Sequence, residues 1–245
     1  MDEITKFRAE VAGNIVGLAA DKDVQALSRI WVREITRHKY AYNFNWMGRP
    51  IIQFPQDMMA MQEIIWEVRP DLIIETGIAH GGSLIYYASL LELVGEAGYV
   101  LGIDVDIRPH NYAEIDSHPM RKRIQMIVGS SIAPETVANV GEHVVGKKRI
   151  LVILDSSHTH EHVLMELRHY APMVTKGSYI VVFDTLLEDM PGDLVHDRPW
   201  GKGNNPKTAV WEFLKSSDRF EIDKLLESKL LITVAPDGYL KCVKD

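Results

Sequence analysis

ILVILDSSHTHEH, residues 150–162, decides the reading of the fold. Five apolar residues run without a break into Asp155, and His158 follows at Asp-x-x-His spacing. A short, continuously apolar run is the pattern of a strand buried on both faces, as in parallel sheets covered by helices. A carboxylate at the end of such a strand needs a partner to hold.

The pattern recurs on both sides of this stretch. DLIIE (71–75) ends on Glu75, YVLGID (99–104) on Asp104 and SYIVVFD (178–184) on Asp184, and IQMIV (124–128) adds one more apolar run. Helical stretches lie between them: GGSLIYYASLLELV (81–94), PETVANVGEHV (134–144) and HEHVLMELRHYAPMV (160–174). Strands alternating with helices predict an α/β fold, a mostly parallel sheet with helices on both faces. In such sheets ligands bind outside the carboxyl ends of the strands. Any one of the four acids could simply cap the next turn. Four on one edge point to a binding site.

The flanks are plainer. Residues 3–40 read as helical, with Leu27, Ile30, Trp31 and Ile35 on one apolar stripe. Residues 42–57 read as an aromatic, proline-interrupted connection, and QDMMAMQEIIWEV (56–68) as a helix stopped by Pro70. We therefore expect residues 1–65 to be a helical extension with a substrate-side segment, and 66–245 to be the main domain. NPKTAVWEFLKSS (205–217) is a helix with Asn205 as its cap. FEIDKL and LLITVAPDGYLKCV (230–243) read as antiparallel strands, the latter a hairpin turning at Pro236-Asp237-Gly238.

Composition narrows the function. The chain has 245 residues, 46% hydrophobic, with a net charge of −7. That acidity argues against a general nucleic-acid surface. A single cysteine, Cys242, cannot form a disulfide within the chain, which fits a reducing compartment. The stretch MDEITKFRAEVAG carries acids where a signal peptide carries bases, and no run approaches the ~18 apolar residues of a membrane span. We expect a soluble, cytoplasmic protein without a membrane span, and leave a homo-oligomer open.

The loop ETGIAHGGS (75–83) joins a strand to a helix. Gly77 permits a positive φ, Gly81 and Gly82 would let a ligand approach the backbone, and Ser83 could cap the helix. The spacing is neither the dinucleotide fingerprint nor a P-loop. Asp104, ending the next strand, is placed for a ribose diol. A carboxylate at Glu75 argues against a pyrophosphate and suits the amino group and sulfonium of S-adenosylmethionine. Asp155 and Asp184 offer two hard oxygen ligands for Mg²⁺ or Mn²⁺. His158 could then act as general base toward a hydroxyl of the acceptor. His160 and His162 read as a solvated helix start, and no second cluster supports a zinc site.

Taken together, IIETGIAHGGS, LGIDVDIRPHN, VGSS, ILDSSHTHEHV, YIVVFDT and NWMGRPIIQFPQDMMAMQEII resemble the cephalosporin hydroxylase family, which includes rhamnosyl O-methyltransferases. The resemblance spans roughly residues 42–215. It implies a class I methyltransferase (Rossmann-like) fold, with S-adenosylmethionine near Glu75, Gly77, Gly81, Ser83 and Asp104 and its adenine near Gly129, Ser130 and Ser131. It also implies an acidic pair at the end of the fifth strand. Phe183 stands where one of that pair would be, so Glu188, Asp189 or water would complete the metal's shell.

On the acceptor side, Trp46, Arg49 and Gln53 are candidates to line a pocket. Residues 188–207 are long enough for a binding element, with His196 and a stacking Trp200. The expected function is O-methylation of a saccharide or secondary metabolite. A hydroxylase or hydroxylase partner, and a non-catalytic binding subunit, are the alternatives.

Overall fold

The computed structural model describes residues 2–95, 97–194 and 197–245. Val195 and His196 of the long loop lie outside the described residues. Two helices open the chain, α1 (Glu3–Ala20) and α2 (Lys22–Arg37). A hairpin of β1 (Phe44–Trp46) and β2 (Arg49–Ile51) leads into α3 (Pro55–Val68). Then come β3 (Leu72–Thr76), α4 (Gly82–Val94), β4 (Tyr99–Asp104), α5 (Pro109–Asp116), β5 (Ile124–Val128) and α6 (Pro134–Val144). β6 (Ile150–Leu154), α7 (His160–Tyr170), β7 (Tyr179–Val182), α8 (Pro206–Ser216), β8 (Phe220–Ile222), α9 (Lys224–Leu230) and β9 (Tyr239–Cys242) complete it.

Seven strands form one sheet in the order β5-β4-β3-β6-β7-β9-β8. The first five are parallel, and β9 runs antiparallel to both neighbours. β3 and β6 are buried at every position, because helices cover both faces. One core layer joins α3 and α4 to the sheet through Ile64, Ile65, Leu84 and Tyr87. The other joins α7 and α8 through Val163, Leu167, Val210 and Phe213. All five predicted parallel strands form where the apolar runs place them. No helix among the described residues is long and apolar enough to cross a membrane.

Four local readings need correction. The apolar stripe of α2 faces outward: Leu27, Ile30 and Trp31 are exposed, while Ser28 and Val32 are buried. The sheet's near face is already filled by α3 and α4, so α2 meets the body through Val32 and Ile35. The expected connection after it contains the β1–β2 hairpin, turned by Met47 and Gly48 at φ 45° and 89°. α5, entered through Pro109, was not foreseen.

The C-terminal hairpin does not form either. Residues 231–234 make no strand, and α9 occupies part of the segment. Asp57 of α3 claims that backbone instead, accepting hydrogen bonds from Val234 N (2.9 Å), the Thr233 hydroxyl and Tyr239 OH (2.7 Å). The carboxyl is fully buried, and burial pushes its pKa up to about 6 despite three donors.

Removing that carboxyl strands three buried donors. Asp57→Ala should lower unfolding free energy by about 2–4 kcal/mol, the scale for breaking a buried hydrogen-bond network. Denaturant titration measures it; a loss below ~1 kcal/mol would mean that the C-terminal segment is held by its apolar contacts.

Candidate active site

The parallel strands finish level with one another. Asp155 N donates to Thr76 O (2.9 Å) and Phe183 N to Leu154 O (3.0 Å), which brings the loops after β3, β6 and β7 to one edge. Gly77, at φ 89°, lies so close to β6 that a Cβ there would overlap the Asp155 carbonyl. Gly81 and Gly82 are equally confined, by the Ile115 side chain and the Pro50 carbonyl. Those two glycines therefore let protein approach protein, where ligand access was expected.

Two cavities open at this edge, of about 400 and 370 Å³. Gly77, Ala79, Asp155 and Ser156 line both. The smaller is walled by Asp104, Gly129, Ser130 and Ser131, the larger by Gln53, Ser83, His158, Asp184 and Trp200. Asp104 also braces the glycine loop, its carboxylate accepting from Ile78 N (2.8 Å), Ala79 N (3.3 Å) and Asp106 N (3.1 Å). A carboxylate has about four acceptor positions, so one stays open.

Glu75 lines neither cavity and is fully buried. Oε2 accepts from Ser83 Oγ (3.0 Å), and Oε1 has no partner. Ser83 is thereby drawn away from the capping role expected of it; Gly81 holds the N-cap position with no side-chain bond. Burial, with a smaller push from Asp104, raises the Glu75 carboxyl to about 8.

Asp155, His158 and Asp184 each turn one ligand atom to a common point, all within 4.8 Å of one another. His158 Nε2 lies 3.2 Å from Asp184 Oδ2. No described residue donates a hydrogen bond to the Asp155 carboxylate, whose pKa is pushed well up by burial and then by Asp184, Glu75 and Glu166. A half-buried carboxyl with carboxylates around it and no protein donor favours a cation or a proton beside it.

Known proteins resemble this chain over most of its length. The family described as rhamnosyl O-methyltransferase/CmcI matches residues 38–243. A rhamnosyl O-methyltransferase of Mycobacterium leprae is 32% identical over 212 residues, covering 83% of this chain and 87% of that protein. The protein of the same name from Mycobacterium bovis is 29% identical, covering 83% and 82%.

The chain belongs to the rhamnosyl O-methyltransferase/CmcI family.

Solved structures share the fold. A cmcI structure with Mg and SAM superposes with TM-score 0.58 at 20% identity, over 83% of this chain and 78% of that one. An O-methyltransferase from Bacillus cereus in complex with SAH gives 0.53 at 12% identity, over 96% and 97%. The seven-stranded α/β sheet is that of class I methyltransferases.

In this member of the family, Glu188 and Asp189 do not reach the acidic cluster. Glu188 Oε2 accepts from Gly203 N (2.7 Å) and the Asn205 amide, and Asp189 pairs with Lys207 Nζ at 2.6 Å. Both acids tie the loop to the start of α8. Phe183 is buried in the core beneath the larger cavity. Among the described residues, His158 is the one that stands with Asp155 and Asp184 in this cluster.

Of the acceptor-side candidates, Gln53 and Trp200 line the larger cavity. Trp200 meets the His158 ring edge-on, centroids 4.8 Å apart. Trp46 and Arg49 line neither cavity. Trp46 Nε1 donates to Ser89 Oγ (2.9 Å), and the Arg49 guanidinium donates to His80 O (2.7 and 3.0 Å) and Asn111 Oδ1 (3.0 Å). They brace α4 and the glycine loop.

His162 was missed. It lines the smaller cavity, with Nε2 3.0 Å from Ser131 Oγ and 3.2 Å from Ser156 Oγ. His160 is also engaged, with Thr208 Oγ1 (2.8 Å) and Glu212 (3.2 Å). Helical spacing places His162 one turn above Glu166, which is buried and takes the Ser156 hydroxyl at 2.7 Å. A histidine four residues before an acid on a core-facing helix was the available signal.

The raised Glu75 pKa has a sign that can be checked. The folded state favours its neutral form, so that stabilisation is complete below the unfolded value near 4.5 and is lost as pH rises through about 8. Glu75→Gln should therefore match the ligand-free wild type in thermal stability near pH 5 and exceed it at pH 8.5. Parallel melting curves across that range would discard the assignment.

Proposed function

We propose that this protein transfers the methyl group of S-adenosylmethionine to a hydroxyl of a saccharide or secondary metabolite, assisted by a divalent cation. The enzyme class is that of its family, an S-adenosylmethionine-dependent O-methyltransferase. One observation carries the reading: two cavities of about 370 and 400 Å³ meet at a shared wall containing Asp155, with His158 and Asp184 lining the larger. The names of the rhamnosyl O-methyltransferase relatives support a sugar hydroxyl as acceptor.

In this reading the smaller cavity takes the adenosyl part, with Asp104 accepting from the ribose and residues 129–131 beside the adenine. Glu75, buried behind the cavity walls with an unpartnered Oε1, would add negative field toward the amino group and sulfonium once ionised, without touching them. Asp155 and Asp184 suit Mg²⁺ or Mn²⁺: their carboxylates are hard donors, crowded together, and Asp155 has no protein partner. A bound cation would supply Lewis acidity and orient adjacent hydroxyls. His158 takes the hydroxyl proton as the oxygen–methyl bond forms and the sulfur–methyl bond breaks, leaving S-adenosylhomocysteine. Trp200 and Phe183 keep that proton transfer out of bulk water. One histidine with two carboxylates is not the two-histidine set of an iron oxygenase, which favours transfer over hydroxylation.

Calorimetry with S-adenosylhomocysteine should show binding that Asp104→Ala weakens by ~1–3 kcal/mol, the scale of charge-assisted hydrogen bonds lost from a buried site. NAD binding tightly in its place would overturn the cofactor. His158→Ala should keep that affinity and slow methyl transfer by ~10²–10⁴, the usual share of a positioned base. Asp155→Asn should lose both rate and response to added metal. Wild-type turnover persisting in EDTA, on protein shown to be metal-free, would remove the cation from the mechanism.

A further inference from the structure

The larger cavity is sorted by charge. Among its lining residues the only acids are Asp155 and Asp184, and both belong to the cluster with His158. The only Lys or Arg side chains are Lys39 and Arg198. Both are exposed, and neither has a carboxylate partner among the described residues. Most other cations near the site are neutralised, as Arg37 is by Asp193 and Lys207 by Asp189. Arg198 is nonetheless placed: its guanidinium lies over the Trp200 ring at 5.4 Å, and that ring touches His158. Two such contacts in series leave the guanidinium no more than roughly 10 Å from the imidazole, within cation–π reach of a ring that itself borders the reacting centre. Lys39 enters from the turn after α2, held at φ 50°.

We infer that the acceptor is an anionic saccharide, carrying a phosphate or carboxylate group on or next to the sugar whose hydroxyl is methylated. This rests on the methyl-transfer reading above and names its substrate class. In a protein of net charge −7, an anion entering a cavity floored by carboxylates needs local cations to offset that field. Arg198 and Lys39 supply them at the rim, while the neutral, hydroxyl-bearing end of the sugar reaches Asp155, Asp184 and His158. A guanidinium fork matches phosphate or carboxylate bidentately, and an ammonium adds a point charge. The aromatic side chains of Tyr40, Tyr42 and Trp200 line the same cavity and suit the apolar faces of a sugar ring.

The test uses full-length protein saturated with S-adenosylhomocysteine and Mg²⁺, titrated with methyl rhamnoside, rhamnose 1-phosphate and methyl glucuronide. At low salt at least one anionic sugar should bind tenfold or more tightly than the neutral one, and which one it is identifies the group. The advantage should shrink as salt rises and fall at least fivefold in Lys39→Ala/Arg198→Ala, with affinities for S-adenosylhomocysteine and methyl rhamnoside unchanged. Arg198→Lys should recover part of it. Equal binding of neutral and anionic sugars, no binding of any of them, or a full anionic advantage in the double variant overturns the inference. Failure to bind S-adenosylhomocysteine at all would instead sink the methyl-transfer reading, and this inference with it.

Discussion

At the carboxyl edge of the sheet, the carbonyl of Asp155 lies against the α-carbon of Gly77, in space that a Cβ would fill. That contact sets the distance between the loop after β3 and the loop after β6. The β3 loop carries the braces for Asp104, because Ile78 N and Ala79 N point to its carboxylate. The β6 loop carries Asp155 and His158. A wider spacing would part the two cavities that now share Gly77, Ala79, Asp155 and Ser156. A methyl donor and a hydroxyl acceptor react only when held within about 3–3.5 Å of each other, so the missing side chain at position 77 is a condition of the chemistry as well as of the fold.

The same convergence concentrates negative charge. Glu75 and Asp155 both have raised pKa values, and burial is the first cause in each. No lysine or arginine lines the smaller cavity, and those lining the larger one stand at its rim. Burying carboxylates without counter-charges is costly, and the cost falls when a cation arrives. S-adenosylmethionine brings an ammonium and a sulfonium. The empty protein is thus least comfortable where its ligands are most positive, which makes binding energy available without further protein contacts.

Much of this was legible because continuously apolar runs admit few structures. β3, β4, β5, β6 and β7 were read correctly from LIIE, VLGID, IQMIV, ILVIL and YIVV, and Asp104, Asp155 and Asp184 reach the cavities at the expected edge, while Glu75 is buried behind them. What failed were the readings that depend on what lies opposite. Leu27, Ile30 and Trp31 form a good helical stripe, but α3 and α4 had already filled the sheet face. Ser83 looks like a helix cap until Glu75, eight residues away in sequence, takes its hydroxyl. Residues 231–234 look like a strand until Asp57 takes their backbone from the far end of the chain. Arg49, claimed by His80 and Asn111, and His162, claimed by Ser131 and Ser156, were misplaced for the same reason. Periodicity tells which face of an element is apolar, and only tertiary contact tells which polar group has been claimed.

Phe183 shows how one residue redirects a site. The pattern of the family leads one to expect an acid there; a buried aromatic takes the position and extends the core under the acceptor cavity. The acids next along the chain cannot substitute, because Glu188 holds the Asn205 cap and Asp189 holds Lys207. Withdrawing either would loosen the loop that presents Trp200 and Arg198. The cluster is therefore left with two carboxylates and one imidazole among the described residues. Two carboxylates would hold a divalent cation less firmly than three. Asp184 Oδ2 also lies 3.2 Å from His158 Nε2, so the ring's orientation depends on that carboxylate. In the proposed mechanism a change at Asp184 would disturb proton transfer and cation binding together, whereas a change at Asp155, on the wall common to both cavities, would disturb cation binding and the meeting of the two substrates.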